Sequence, residues 1–576
     1  MRPGGAGVRL KTGLRDIELW IILGALIGLL SGLAGASLTI LIEDLYPRLA
    51  GRLGGEVLVN KDLSTSLLPV IPLMALGGLA SGLITWLFAP EAEGHGTDQV
   101  IEAIHKRKAE VRARVAVWKI IASSILIGTG GSAGKEGPIA QSGAGIGSLI
   151  AGLMRLTRVE RRLLVLAGVA GGISSVFKAP LGAVIFSLEV PYKRDVESET
   201  ITPIAVSSIT AYLVSLAILG GETIFPVPAV EPGEVLRPGT ITLLLGIGVL
   251  TGLMARVFVR TFYWVAGTFD KAGIPKPLKP ALGGLLAGVV AFIFPGVMGQ
   301  SYWIVSDILE GVSYGAAVLV AVSLAKIAAT SFSVGSGGSG GVFGPSIVIG
   351  SLGGAGIALA FGSNLYPAAA IIGMVSFLAA AGKVPLAAVV MTAEMTRGYA
   401  LVAPAIGAVG LSMLVAGGDS IYRSQVDTRI DSPFYLGMEL REILRKVRVR
   451  QVMTTKVVTV RPDNTLLDVL RLIGKTGHRG FPVVDEAGRV VGMITERDIA
   501  RYPRTRLEEV RVGDAMTRNL VVATPDETLD DAMTKIIRYT IGRLPVVEST
   551  ESMKLVGIVT PRDILRAYKA LEAVIE

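Results

Sequence analysis

The sequence predicts a polytopic α-helical membrane domain, built from two copies of one unit, followed by a soluble α/β domain. Three observations carry this. About half of the 576 residues are hydrophobic and the mean hydropathy is +0.59, as a chain with many apolar spans requires. Three pairs of motifs recur in the same order at offsets of 205 to 207 residues, which marks a duplicated unit. Charge density more than doubles after residue 430: residues 431–576 hold 24 Lys/Arg and 21 Asp/Glu, against 32 and 26 in all that precedes.

Residues 1–16 form an N-terminal segment in which Arg2, Arg9, Lys11 and Arg15 precede the first long apolar run, 19–42. That run is too long for a signal-peptide core and shows no small-residue cleavage site. The basic excess places the N-terminus in the cytoplasm. The membrane domain is expected over 17–430, with repeats at 17–220 and 238–425. Residues 43–66 read as loop and 67–88 as a second apolar run. The most polar stretch, 91–119, reads as a turn (Gly94-His95-Gly96-Thr97-Asp98) and then a charged helix over 101–117. Apolar segments follow to Val415, many cut by Gly or Pro and so expected to be tilted, short or re-entrant. The 72 glycines suit close helix packing in lipid.

Residues 130–138, Gly-Gly-Ser-Ala-Gly-Lys-Glu-Gly-Pro, lie between the apolar runs 120–127 and 139–153. Glycine lets the backbone turn left-handed and approach a ligand, and Pro138 suits the first turn of a helix. The pattern reads as a broken membrane helix, with Lys135 and Glu136 at the break. Non-helical backbone at membrane depth survives where it is buried in protein or lines a cavity, and a helix N-terminus there is an anion site. The competing reading is a Gly-rich surface loop. Recurrence at 337–345, Gly-Gly-Ser-Gly-Gly-Val-Phe-Gly-Pro, with Phe343 in the place of Glu136, favours the site. Ala75-Leu76-Gly77-Gly78-Leu79 likewise returns at 281–285, and Lys178-Ala179-Pro180-Leu181 through Glu189 returns as Lys383-Val384-Pro385-Leu386 through Glu394. Paired interrupted segments in corresponding halves point to a transport site between repeats.

The ionisable residues in or beside the apolar runs are Lys119, Lys135, Glu136, Lys178, Glu189, Lys326, Lys383 and Glu394, five cations against three carboxylates. Such residues are costly in a membrane, and their balance favours an anion as substrate. Lys119, Lys178 and Lys383 are expected to snorkel to an interface. Glu189 and Glu394, at equivalent positions, are expected to make paired structural hydrogen bonds. The absence of cysteine excludes disulfides and thiolate metal sites, and three histidines (His95, His105, His478) give little basis for a metal cluster. A net charge of +9, spread along the chain, fits a membrane protein with basic edges and not a nucleic-acid partner. No Ser/His or metal-binding pair lies in the apolar segments, so no enzymatic activity is expected.

The tail repeats internally. Met453-Thr454, Pro462-Asp463 and Pro482-Val483-Val484 return as Met516-Thr517, Pro525-Asp526 and Pro545-Val546-Val547; Thr495-Glu496-Arg497-Asp498 returns as Thr560-Pro561-Arg562-Asp563. Each unit reads as strand, helix (466–473 and 529–537), two strands, helix. It resembles a tandem pair of cystathionine-β-synthase-type (CBS) domains, over 447–505 and 510–572. The resemblance implies an adenine nucleotide of ATP or AMP type as regulator, its ribose held by Thr495 with Asp498 and Thr560 with Asp563. Thr followed three residues later by Asp also fits a helix capping box.

On Gly134-Lys135-Glu136-Gly137-Pro138, Gly341-Val342-Phe343-Gly344-Pro345 and the Lys178-to-Glu189 stretch, with Tyr422 after the last apolar run, the membrane part resembles the CLC chloride channels and transporters. The resemblance implies an all-α polytopic membrane domain of two inverted repeats, followed by a cytoplasmic CBS pair. It also implies a homodimer in the plasma or inner membrane, with a pore in each subunit and both termini cytoplasmic. Chloride or a similar small anion would bind at the Val342 and Phe343 N–H groups and the Tyr422 hydroxyl, with Gly134, Lys135 and Gly137 framing an outer site that Glu136 gates. No cofactor is required. Two departures stand out. His95, beside Gly96, replaces the family's anion-facing serine, and Asp98 adds a negative charge nearby. Val190 stands where the proton-coupled exchangers carry a second glutamate, which leaves Glu136 and Glu189 as proton-pathway candidates. The expectation is therefore anion flux with channel-like or weak proton coupling. A fully coupled chloride/proton antiporter is the alternative, and a CBS-regulated divalent cation channel the reading from another class.

Overall fold

In the computed structural model the described residues are 14–45, 48, 68–197, 201–225, 232–235, 237–435 and 444–567. They fall into two compact units that divide after Phe434.

The first unit is helical, and its principal helices form two series of eight. The first comprises α1 (Leu14–Ile40), α2 (Val70–Phe88), α3 (Thr97–Lys106), α4 (Val115–Gly128), α5 (Glu136–Leu153), α6 (Arg158–Phe177), α7 (Pro180–Glu189) and α8 (Thr202–Leu219). The second comprises α9 (Pro238–Lys271), α10 (Leu278–Ile293), α11 (Tyr302–Leu309), α12 (Ala316–Gly335), α13 (Phe343–Ala360), α14 (Tyr366–Gly382), α15 (Pro385–Thr396) and α16 (Val402–Ala416). Among the described residues, seven helices are long and apolar enough to cross a membrane, and several others are shorter apolar pieces. Gly and Pro between the runs produce those short pieces, because each ends or opens a helix where the backbone must turn.

Each of the three repeated motifs meets its own copy. The glycines of Ala-Leu-Gly-Gly-Leu bring α2 against α10: a Cβ on Gly78 would lie 2.1 Å from the Pro280 carbonyl oxygen, and one on Gly284 would lie 2.2 Å from that of Met74. Gly134 and Gly341 form an antiparallel bridge, with N–H···O distances of 2.8 and 2.7 Å in the two directions. Glu394 accepts from the Leu181 and Gly182 N–H groups at the start of α7 (3.1 and 2.7 Å), and Glu189 accepts from those of Leu386 and Ala387 at the start of α15 (3.0 and 2.8 Å). Each carboxylate caps the other repeat's helix and faces its positive end. Reciprocal contacts of this kind are those of a twofold axis, so the repeats are inverted about the point where they touch.

Two expectations are corrected. The charged helix over 101–117 is instead two helices, α3 and α4, separated at 107–114. There Lys108 and Ala109 take left-handed conformations (φ 55° each) and the Ala109 N–H returns to the Ala103 carbonyl at 2.8 Å. Lys119 and Lys383 do not snorkel: they are 0% and 3% exposed. A buried ammonium needs acceptors, and Lys119 Nζ donates to the Ala92 and Gly94 carbonyls at 2.8 and 2.6 Å. Lys383 is the left-handed C-cap of α14, as Lys178 is of α6, and its buried Nζ has no hydrogen-bond partner among the described residues. Lys178 is half-buried and donates to the Glu222 carbonyl at 2.8 Å.

In the second unit, α17 (Leu466–Thr476), β1 (Gly480–Val484) and β2 (Val490–Thr495) form one half, and α18 (Leu529–Tyr539), β3 (Leu544–Val547) and β4 (Leu555–Val559) the other. Both strand pairs are antiparallel. The halves exchange their leading segments: Thr454 bridges Ile558 of β4, and Thr517 bridges Met493 of β2. Leu444 and Val449 accordingly pack with the second half's core, and Val510, Val512 and Met516 with the first's.

Candidate anion pathway and nucleotide cleft

The Gly134–Gly341 bridge brings the first turns of α5 and α13 together. Glu136 opens α5 and is 1% exposed. Its Oε2 accepts from the Gly344 N–H at 3.0 Å, and its Oε1 accepts from the Tyr302 hydroxyl. The carboxylate therefore lies at the N-terminus of α13, where the first N–H groups of a helix lack intrahelical partners and favour negative charge. Glycine on both sides leaves room for the carboxylate: a Cβ on Gly134 would lie 2.0 Å from Glu136 Oε2, and one on Gly344 would lie 2.8 and 2.9 Å from the two carboxylate oxygens, so either would displace it. Val342 is the N-cap of α13 and Phe343 its first residue, and both are buried. Phe343 packs against Phe177 and Phe186, with ring centroids 5.1 and 5.4 Å apart.

Tyr422 is 1% exposed, and its hydroxyl approaches the Thr97 side chain at the start of α3. The His95 ring lies 5.7 Å from that of Tyr422 and 5.9 Å from that of Phe262, and its buried Nδ1 has no hydrogen-bond partner among the described residues. Gly96 (φ 85°) lets the chain pass close to α5, since a Cβ there would lie 2.6 Å from the Gly137 carbonyl oxygen. Asp98 accepts from the Ser424 N–H and hydroxyl at 2.7 and 2.9 Å, which ties the start of α3 to the Tyr422 segment. Lys135 turns away from the carboxylate and pairs with Glu43 at 2.7 Å.

Two cavities approach this region from opposite ends of α4. One, of about 630 Å³, reaches Gly128 and is lined by Glu43, Lys135, Lys178, Gln300 and Tyr302. The other, of about 930 Å³, reaches Val115 and is lined by Glu93, His95, Asp98 and Tyr263. Glu189 is placed away from both, with each oxygen engaged on α15. Val190 is 2% exposed, and its carbonyl accepts from Gln425 Nε2 at 2.9 Å. Sequence reasoning missed Thr97 and Tyr302. Thr97 stood inside the departing Gly94–Asp98 motif, where a hydroxyl two residues past His95 was the available signal; Tyr302 lies in no motif.

In the second unit Thr495 Oγ1 donates to Asp498 at 2.6 Å, and Thr560 Oγ1 to Asp563 at 2.7 Å. The same carboxylates accept from the Thr495 and Thr560 N–H groups at 3.0 and 2.9 Å, the geometry of helix caps. Burial, with the neighbouring Arg479 and Arg562, holds the Arg543 guanidinium below its usual range.

This is a membrane protein of two inverted repeats whose helix N-termini converge on one buried carboxylate. The chain belongs to the voltage gated chloride channel family, whose profile matches residues 77–417; the CBS domain profile matches 449–504 and 512–570. It is 28% identical over 540 residues to chloride channel protein CLC-f of Arabidopsis thaliana, covering 79% of this chain and 69% of that one. It is 30% identical over 422 residues to the putative chloride channel protein ClcB-like of Ralstonia nicotianae, covering 69% and 95%. Among solved structures it is similar to a slow cyanobacterial Cl−/H+ antiporter, with 25% identity, a TM-score of 0.61 and coverage of 70% and 96%. The chain is thus a multi-pass anion-transport protein of the CLC type with a C-terminal CBS pair.

Proposed function

We propose that each subunit moves chloride or a similar small anion along a path gated by Glu136, with weak or no coupled proton movement. The observation that carries this is the Glu136 carboxylate at the α13 N-terminus, an anionic group in a place suited to an anion. Transport then requires it to leave. The Phe343 and Val342 N–H groups, the Tyr422 hydroxyl and the His95–Thr97 turn would hold the anion by dipoles alone, weakly enough for release. Lys178 on one side, and Lys106, Arg107 and Arg112 on the other, would draw anions into the two cavities.

Weak coupling is supported by the buried, apolar Val190 and by Glu189, whose oxygens both accept backbone N–H groups. Coupled chloride/proton exchange is the second reading, favoured by the similarity to the cyanobacterial antiporter. Chloride and proton flux measured together in liposomes, with no other ion gradient, separates them. Uphill proton movement driven by a chloride gradient would refute the weak-coupling reading. We further propose a homodimer in the cell membrane with both termini cytoplasmic, the CBS pair holding an adenine nucleotide as regulator. The three arginines at 479, 543 and 562 suit its phosphates.

A further inference from the structure

Lys119 and Lys326 occupy equivalent places on α4 and α12, and each is 0% exposed. Lys119 Nζ holds the Ala92 and Gly94 carbonyls; Lys326 Nζ holds those of Val297 and Gly299 at 2.9 and 2.7 Å. The two clamps are alike, but the turns they hold lead to different side chains. In the first repeat the chain leaves through Gly96 and Thr97 into α3. In the second it leaves through Ser301 and Tyr302 into α11. Ser301 is left-handed (φ 62°), a strained conformation for a residue with a Cβ, and Lys326 Nζ donates to its Oγ at 2.8 Å. That clamped turn aims the Tyr302 hydroxyl at Glu136 Oε1. The Tyr302 ring is fixed by edge contact with Phe225, centroids 5.2 Å apart.

We propose that Tyr302 is the latch of the gate: its hydroxyl holds the Glu136 carboxylate in the anion site, and the Lys326 clamp positions that hydroxyl. This rests on Glu136 being the gate. The ionisable groups facing the carboxylate are Lys135, Lys326, Tyr302 and Tyr422, with Glu43 beyond Tyr302. Lys135 is ion-paired to Glu43 and Lys326 is engaged by carbonyls, so Tyr302 is the side chain that donates directly. A hydrogen bond to an ionised group favours the charged form over the protonated one. The latch therefore resists both departure of the carboxylate and its protonation.

The test is anion flux into liposomes as a function of pH for the full-length protein, Tyr302→Phe, Glu136→Gln and the double variant. Tyr302→Phe keeps the ring and removes the donor. The expected result is a half-maximal flux moved about one pH unit upward or more, the size of one hydrogen bond to a charged group. Glu136→Gln is expected to flatten the profile, and Tyr302→Phe to change nothing further in that background. If Glu136→Gln flattens the profile while Tyr302→Phe leaves it in place or moves it downward, the latch is refuted and the gate stands. If Glu136→Gln keeps the parent profile, the gate itself falls. Lys326→Gln is expected to shift the profile in the same direction as Tyr302→Phe and to add nothing to it; an additive shift would remove Lys326 from the latch.

Discussion

Replacing Glu136 with alanine empties the cradle between Gly134 and Gly344. In the parent the carboxylate is held by two hydrogen bonds, from the Gly344 N–H and the Tyr302 hydroxyl. Hydrogen bonds to charged groups contribute about 1.5–3 kcal/mol each, roughly 3–6 kcal/mol for the pair. Desolvating the carboxylate costs several kcal/mol in the other direction, so the net hold is the smaller difference. Each ~1.4 kcal/mol of that net keeps the closed form a further tenfold ahead of the open one. Glu136→Ala is accordingly expected to raise anion flux at neutral pH, by about tenfold for each ~1.4 kcal/mol of net hold, and to remove its rise on acidification. The parent should approach the variant's flux as pH falls, because protonation removes the charge that competes with chloride. The assay is chloride efflux from liposomes at matched protein density between neutral and acidic pH, with Glu136→Gln as the isosteric control. Flux with the parent's pH dependence in both variants would refute the gate and the cradle argument together.

His95→Ser restores a hydroxyl beside Tyr422. The ring is nearly closed off between Phe262 and Tyr422, which favours neutral imidazole, so chloride affinity by isothermal titration should match the parent at neutral pH and lose only the gain seen under acid; equal pH dependence in both proteins would sink this. Glu394→Ala strands the Leu181 and Gly182 N–H groups, and should lower the thermal unfolding temperature by the equivalent of about 1–3 kcal/mol while leaving ion selectivity intact. ATP or AMP at millimolar concentration should stabilise the full-length protein against thermal unfolding, and Arg543→Ala should weaken that effect; no stabilisation by either nucleotide would leave Thr495 and Thr560 as helix caps alone.

The duplication was legible because Gly, Pro and buried ionisable residues tolerate few replacements and so stand out at constant offset. The break before Glu136, the paired hydrogen bonding of Glu189 and Glu394, and the helix and two strands of each tail half could be read that way; the strand expected before each helix is only an isolated bridge, Val460 to Val483 and Ala523 to Val546. The contact of each motif with its own copy could not, since an offset carries no geometry. The clamps also escaped notice. Lys119 sits at the edge of an apolar run, where snorkelling is the usual outcome, and its acceptors at Ala92 and Gly94 are carbonyls that any residue supplies. Tyr302 is one aromatic residue at the start of a short helix, and its partner lies 166 positions away. The Arg162–Glu197 pair, buried on both sides and joined by Tyr192, is likewise a matter of packing that no local pattern announces.

The two repeats also show how a symmetric scaffold comes to hold a single carboxylate between its break motifs. Equivalent clamps, equivalent left-handed caps at Lys178 and Lys383, and reciprocal glutamates make the scaffold insensitive to which repeat is considered. Symmetry is broken where the break motifs differ, Lys135-Glu136 against Val342-Phe343, and again where the clamped turns differ, Gly96-Thr97 against Ser301-Tyr302. These differences are complementary. The first repeat supplies the carboxylate, while the second supplies the helix terminus and the hydroxyl that receive it. Phe343, in Glu136's equivalent place, fills its space with a ring packed on Phe177 and Phe186, so a second carboxylate does not compete for the same N–H groups. Like charges crowded there would repel, and each would weaken the other's hold on the site. One acid facing one donor set would let a single protonation open the proposed path.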